Sequence, residues 1–181
     1  MRWVFWVFIV ILVPLEGTSV EHCMDSEVYF SPNSHFFSPL LSLLDGEKEL
    51  IQIATSRLTD RQIWNALIQA SKRGVSVEII VDTTTLSVGK LLQKLSPSSG
   101  RIWVYPEIRQ KKTRTIMNHK FCICKSQASV WNASCSFSPS AKLHCEHALV
   151  IRQRNVVDQF AQEFEKLKQK STLLEKITAN N

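Results

Sequence analysis

An α/β layered fold is predicted by three features of the chain. Short apolar, strand-like runs alternate with helix-period segments from Glu27 to Tyr105. The run Val75 to Val81 is apolar except for Ser76 and Glu78, as in a strand covered on both faces. A long amphipathic segment follows from Asn155. Strands and helices alternating at this spacing argue for a sheet layered with helices.

Glu27 to Ser31 alternates as a first strand, ended by Pro32 and Asn33. Ser38-Pro39 offers a capping hydroxyl and a proline for the first turn of a helix. Leu40, Leu41, Leu43 and Leu44 form its apolar face, and Gly46 can stop it. Leu50 to Ala54 is a buried strand. Thr59 and Gln62 fit a capping box for a second helix, with Ile63, Trp64, Leu67 and Ile68 inward and Gly74 at its end. Val75 to Val81 is the next strand, with Asp82 at its carboxyl end. Leu86 to Leu95 reads as a short helix closed by Pro97 and Gly100, and Arg101 to Tyr105 as a strand ended by Pro106. A basic loop, Glu107 to Thr115, leads to two neighbouring strands, Met117 to Cys124 and Ala128 to Ala133. Ser134 to Leu143 is a loop with a helical turn. His147 to Arg152 is the last strand. Asn155 to Ile177 is a helix with Val157, Phe160, Phe164 and Leu167 inward. No repeat, low-complexity tract or interdomain linker interrupts residues 20–181, which read as one domain.

The 181 residues suffice for one domain with a real core. A formal net charge of +6 favours polyanionic partners, nucleic acid or an acidic membrane face. Residues 1–19 stand apart: Arg2, an uncharged apolar run from Trp3 to Leu15, then small residues Gly17 and Ser19. This is the pattern of a secretory signal peptide. The run is shorter than the roughly 20 residues of a membrane span, and the alternative is an uncleaved anchor over residues 3–15. Either way the expectation is export, to the outside or the periplasm, with membrane association through the N-terminus in the anchored case. Cys23 lacks the context for lipidation. Export permits disulfides, and five cysteines leave one over.

The stretch Met117 to Lys125 carries the chemistry. It puts a polar pair before an apolar, β-prone run, and strand alternation sends Asn118 and Lys120 to one side and His119 to the other. Arg109, Lys111, Lys112 and Arg114 precede it and can neutralise phosphates without reading sequence. The stretch resembles the H-x-K-x4-D motif of the phospholipase D superfamily, with Lys120 at the Lys, Asn118 where the nucleophilic His stands and Lys125 where the Asp stands. Val28 to Pro32 is similar to that family's opening strand. Ala70 to Val77 with Ile79 to Asp82 is similar to its helix-to-strand step. Ser134 to Ser138, then Glu146 with Ala148 to Ile151, resembles its downstream segment with a Ser/Asn pair and a Glu. The likeness is to the small members with one motif per chain, the secreted endonucleases and the mitochondrial cardiolipin hydrolase group.

What the resemblance implies is a mixed β-sheet flanked by helices, a homodimer whose two motifs meet in one site, and metal-free phosphodiester cleavage. In that scheme one His attacks phosphorus, its partner protonates the leaving oxygen and the Lys side chains hold the phosphate. Asn118 departs from it, because a carboxamide does not titrate in this range and is a very poor nucleophile. Lys125 reverses the charge of a supporting Asp. Ser134 and Ser136 match the Ser/Asn pair, or Ala133 and Cys135 in a register shifted by one; Glu146 matches the Glu that supports the His. The expectation is a phospholipase D-like protein that binds nucleic acid or phospholipid and is catalytically impaired. One alternative is an active phosphodiesterase using His119 or His144, the former through a bulge. Another is a non-catalytic interaction protein on the same scaffold. Cys122, Cys124, Cys135 and Cys145 crowd together with His119, His144 and His147, but the spacing of Cys122 and Cys124 is not a C-x2-C knuckle. Neither a metal nor a cofactor is expected.

Overall fold

A computed structural model of the chain describes residues 26–82, 93–96, 98–110 and 113–174, with only the backbone of 108–110 and 113–115. The N-terminal run, Cys23, Lys111, Lys112, Pro97, most of the Leu86–Leu95 segment and residues 175–177 lie outside the described residues.

The elements are β1 (Ser26–Ser31), α1 (Ser38–Gly46), β2 (Leu50–Thr55), α2 (Arg61–Lys72), β3 (Ser76–Asp82), β4 (Gly100–Tyr105), β5 (Ile108–Gln110) and β6 (Thr113–Thr115). There follow β7 (Lys120–Cys124), β8 (Ser129–Ala133), a 3-10 turn (Pro139–Lys142), β9 (Glu146–Ile151), α3 (Arg154–Lys170) and β10 (Thr172–Leu173). One eight-stranded sheet runs β1-β9-β8-β7-β2-β3-β4-β10. β2, β3 and β4 are parallel to their neighbours in that trio, and β7 joins β2 antiparallel. The sheet is therefore mixed, with helices on both faces.

Side-chain alternation sorts the core into two layers. Ile51, Ile53, Val77, Ile79, Cys122, Cys124 and Trp131 pack with Phe36, Phe37, Leu40 and Leu67 on the α1/α2 side. Ala54, Ile80, Phe121, Ile123 and Val130 pack with Val157, Phe164 and Leu167 of α3 on the other. β2 and β3 are covered on both faces, which is why they read as near-continuous apolar runs.

The local departures from sequence expectation have identifiable causes. Asp60, not Thr59, caps α2: its Oδ1 accepts from the amides of Gln62 (2.9 Å) and Ile63 (3.2 Å), so a carboxylate faces the positive end of the helix. α1 starts at Ser38 itself, without a side-chain cap. The basic loop contains a two-stranded antiparallel ribbon, β5 with β6. β7 begins only at Lys120, so Met117 to His119 lead into the strand rather than belonging to it. α3 ends at Lys170, because Thr172 and Leu173 add an antiparallel edge to β4; sheet pairing overrides the helical pattern. Gly74, with φ of +88°, turns the chain from α2 into β3, a conformation that costs glycine least.

Candidate functional site

The parallel strands end together, and β7, running the other way, begins there. Register places Lys120 opposite Thr55, the last residue of β2. The carboxyl ends of parallel strands, where strand direction changes, are a recurrent ligand position in open α/β sheets. Strand order thus puts the start of β7 at the carboxyl end of β2, a position its own sequence could not supply.

Asn118 is exposed and Lys120 half-buried. Lys120 Nζ donates to the backbone oxygen and to Oδ1 of Asn118, each at 2.9 Å. The ammonium is held at the mouth of the site beside the residue in the nucleophile position. Ser134 donates to the Glu146 carboxylate and accepts from the His147 amide at 3.1 Å. Ser136 Oγ lies 2.8 Å from Ser56 Oγ, just past β2. Ser31 Oγ accepts from the amide of Glu146 at 3.1 Å and fixes the start of β9.

Cys135 is buried at the same place. Burial pushes its thiol up to about 11, the Glu146 carboxylate adds to the effect, and the Lys120 charge opposes it. It is a protonated thiol at neutral pH, not a nucleophile. Lys120 and Glu146, far apart in sequence, thus act on one thiol with opposite sign. This has a consequence for alkaline stability. Between about pH 9 and 11 the folded chain keeps a proton that the unfolded chain has lost, so stability falls as pH rises through that window. Cys135→Ala is expected to flatten this fall by about 2–3 kcal/mol relative to the parent. Urea titrations of both proteins from neutral pH to pH 11 measure it. The buried Cys122 thiol, also raised by burial, contributes equally to both and cancels; parallel profiles would refute the assignment.

His119 is on the other side. Its Nε2 lies 3.6 Å from Glu163 of α3, and its ring meets Phe121 edge-on at 5.6 Å between centroids. His144 is exposed and precedes β9 rather than belonging to it. Lys125 is at the far end of β7 from Lys120, 3.3 Å from Glu49. The side chains of Arg109 and Arg114 lie outside the described residues, as do Lys111 and Lys112. Among the described residues no group of His, Cys, Asp and Glu could hold a metal ion. The four described cysteines are free, and Cys145 alone of them is exposed. Also among the described residues, no helix is long and apolar enough to cross a membrane.

Sequence reasoning missed Glu163 as the partner of His119, because nothing in α3 marks which of its acidic residues faces the sheet. It also missed Glu47, a buried carboxylate that closes the other end of β7. Glu47 accepts from the amides of Glu49 (2.8 Å), Leu50 (3.2 Å) and Ser126 (3.0 Å). Its sequence signal was only a Glu directly after a helix-ending Gly.

The fold is shared with known structures. NucT from Helicobacter pylori aligns with a TM-score of 0.74 at 21% identity, covering 81% of this chain and 97% of that one. Nuc from Salmonella typhimurium, described as a phospholipase D family member, aligns with a TM-score of 0.67 at 23% identity, covering 82% and 96%. The archaeal chromatin protein TrmBL2 aligns with a TM-score of 0.60 at 18% identity, covering 87% of this chain and 56% of that one. Comparison of the sequence with the curated proteins gives no match. A family model described as cardiolipin synthase, PLD-like domain, matches residues 40–168, well over half of the chain. The match spans both halves of the sheet and the Lys120 end of β7, and the chain belongs to the phospholipase D-like family, as a small member with one motif per chain.

Proposed function

We propose that this chain is an exported, homodimeric family member that holds phosphodiesters at Lys120, from nucleic acid or anionic phospholipid, and does not cleave them by the phosphohistidine route. The observation that carries the reading is the Asn118–Lys120 pair: a cation and a carboxamide at the start of β7, 2.9 Å apart, with no titratable group in the nucleophile position. Such a pair binds a phosphoryl oxygen and cannot attack phosphorus. The net charge of +6 supports a polyanionic ligand. The structures of similar fold support a phosphodiester: a phospholipase D family member, a phosphatidylserine synthase from Haemophilus influenzae and a chromatin protein with a novel mode of DNA binding. Export, with membrane association through residues 3–15 if that segment is retained, rests on the N-terminal pattern. The dimer rests on the one-motif likeness.

The expected result for Lys120→Ala is a fall of about 5–10-fold in affinity for a short oligonucleotide, with the salt slope reduced by about one. Anisotropy titrations across ionic strengths measure both. Unchanged affinity and slope would remove Lys120 from the site. The His119–Glu163 pair supports a second reading, an active phosphodiesterase with His119 as acid or base. That reading requires hydrolysis by the parent protein that disappears in His119→Ala. Hydrolysis lost instead in His144→Ala would move the role to that residue.

A further inference from the structure

At the end of β7 remote from Lys120, a groove of about 560 Å³ opens between α3 and the strands β2 and β7. Leu50, Ile123, Val157 and Ala161 give it apolar lining; Ile123 and Val157 are buried, and Leu50 and Ala161 half-buried. Ser126 and Ala128 come from the turn after β7. Glu49, Gln52, Lys125, Arg154, Asp158 and Glu165 supply the remaining polar and charged groups.

Gln52 is the buried polar group among them, 6% exposed. Its Nε2 donates to Glu78 at 3.0 Å and to Glu165 at 3.1 Å. Carboxylates only accept, so the amide nitrogen must be the branch that faces them. Among the described residues nothing donates to its Oε1, and that oxygen is not sealed from the groove that Gln52 lines. A buried side chain thus holds out one acceptor to whatever enters.

The charges beside it do not balance. Glu78 and Glu165 share one ammonium, Lys168, at 2.7 and 3.8 Å. Two carboxylates around one cation leave one negative charge over. At the rim Lys125 stands 3.3 Å from Glu49, and Arg154 stands 3.9 Å from Asp158, so those charges cancel in pairs. The excess falls on Glu165, the more exposed of the two carboxylates, whose Oε2 has no bond among the described residues. The chain as a whole carries +6, so this groove runs against its general field.

An ammonium group brings three donors and one positive charge. Between the Gln52 carbonyl and Glu165 Oε2 it would make charge-assisted hydrogen bonds. Methylene groups behind it would lie along Leu50, Val157 and Ala161, as the stem of a lysine lies on apolar surface. A carboxylate or phosphate would face Glu165 and find no donor on Gln52 Oε1. No described group of His, Cys, Asp and Glu could hold a bare metal ion there.

We propose that this groove binds a primary aliphatic amine, with its ammonium between Gln52 and Glu165 and its chain against α3. The site is at the opposite end of β7 from Lys120, so it stands or falls independently of the phosphodiester reading.

The test uses the full chain and three ligands of equal chain length: hexylamine, hexanol and hexanoate. Titrations are followed by the Gln52 side-chain amide in proton–nitrogen correlation spectra. The parent protein is expected to bind hexylamine saturably, and about tenfold or more tightly than hexanol or hexanoate. Glu165→Gln keeps the shape and an acceptor for Gln52 but removes the excess charge. It should reduce the preference for amine over alcohol about tenfold. Ala161→Leu fills the groove without altering charge and should weaken both ligands. Glu165 is half-exposed, so its variant should fold; circular dichroism verifies both, and Glu165→Gln decides the matter if Ala161→Leu does not fold. Absence of saturable hexylamine binding, equal or tighter binding of hexanoate, or an amine preference that survives Glu165→Gln overturns the proposal. So does hexylamine binding unchanged in a folded Ala161→Leu.

Discussion

Asn118→His is expected to raise phosphodiester hydrolysis by about 10²-fold or more over the parent protein. The parts around the substituted position favour such a gain. Lys120 is already held at the start of β7, and its ammonium loses a competing acceptor when the Asn118 carboxamide is removed. Ser134 and Glu146 are bonded to one another at the start of β9, where they can support an imidazole. In a symmetric dimer one substitution supplies both the nucleophile and the acid for the leaving group. Lys125 lies at the opposite end of β7 in an ion pair with Glu49, so its charge reversal should not block the attacking group. Release of p-nitrophenol from bis(p-nitrophenyl) phosphate measures the rate, and an acid-labile phosphoenzyme trapped by rapid quenching identifies the intermediate. A folded, phosphate-binding variant with no gain in rate would show that the site lacks more than its nucleophile.

Glu47→Ala should cost about 3–4 kcal/mol of folding stability, the largest structural effect predicted among residues outside the apolar core. Glu47 is 1% exposed and follows α1 directly. One carboxylate oxygen receives three amide hydrogens, from Glu49, Leu50 and Ser126. The other receives a further bond from the Ser126 amide at 3.1 Å. It therefore ties the start of β2 to the turn after β7, the two strands whose other ends carry Thr55 and Lys120. Alanine would leave those amides without their acceptor. Glu47→Gln keeps one carbonyl oxygen and should lose about half as much. Burial alone would raise the Glu47 carboxyl, but the backbone bonds from Glu49, Ser126 and Leu50 outweigh it and hold it below the ordinary glutamate range. Its contribution is thus complete above the unfolded glutamate value, about 4.3, and is lost as pH falls through the lower folded value. Urea unfolding at neutral pH and at pH 3 measures the effect. Equal stability of parent and Glu47→Ala at neutral pH would remove Glu47 from the fold's supports.

Most of the layered fold was legible because burial leaves a periodic trace. Ile51 to Ala54 and Val77 to Val81 announce covered strands, and Val157, Phe164 and Leu167 announce the inner stripe of α3. Errors gathered where a competing interaction decides the outcome. Asp60 outcompeted Thr59 as a cap through two amide bonds. Thr172 and Leu173 left the helix to pair with Val104 and Trp103. The basic segment before the motif reads as a loop in sequence, since the pairing of Ile108–Gln110 with Thr113–Thr115 leaves little apolar signal in strands so short.

The site divides in the same way. The residues Asn118, Lys120, Ser134, Ser136 and Glu146 came from likeness to a known motif, and the alternation of Asn118 and Lys120 against His119 from strand geometry. By itself, the sequence determined the layered class, the family and the loss of a titratable group at position 118, because each is written in residue identity or period. Only the tertiary structure decided that Glu146 and Lys120 both act on the Cys135 thiol, that Glu163 meets His119, and that Lys125 is remote from Lys120. Those facts depend on the register of β7 against β2 and β8 and on the seating of α3. Register and seating are set by the summed packing of many side chains across the sheet, which no local stretch of sequence contains.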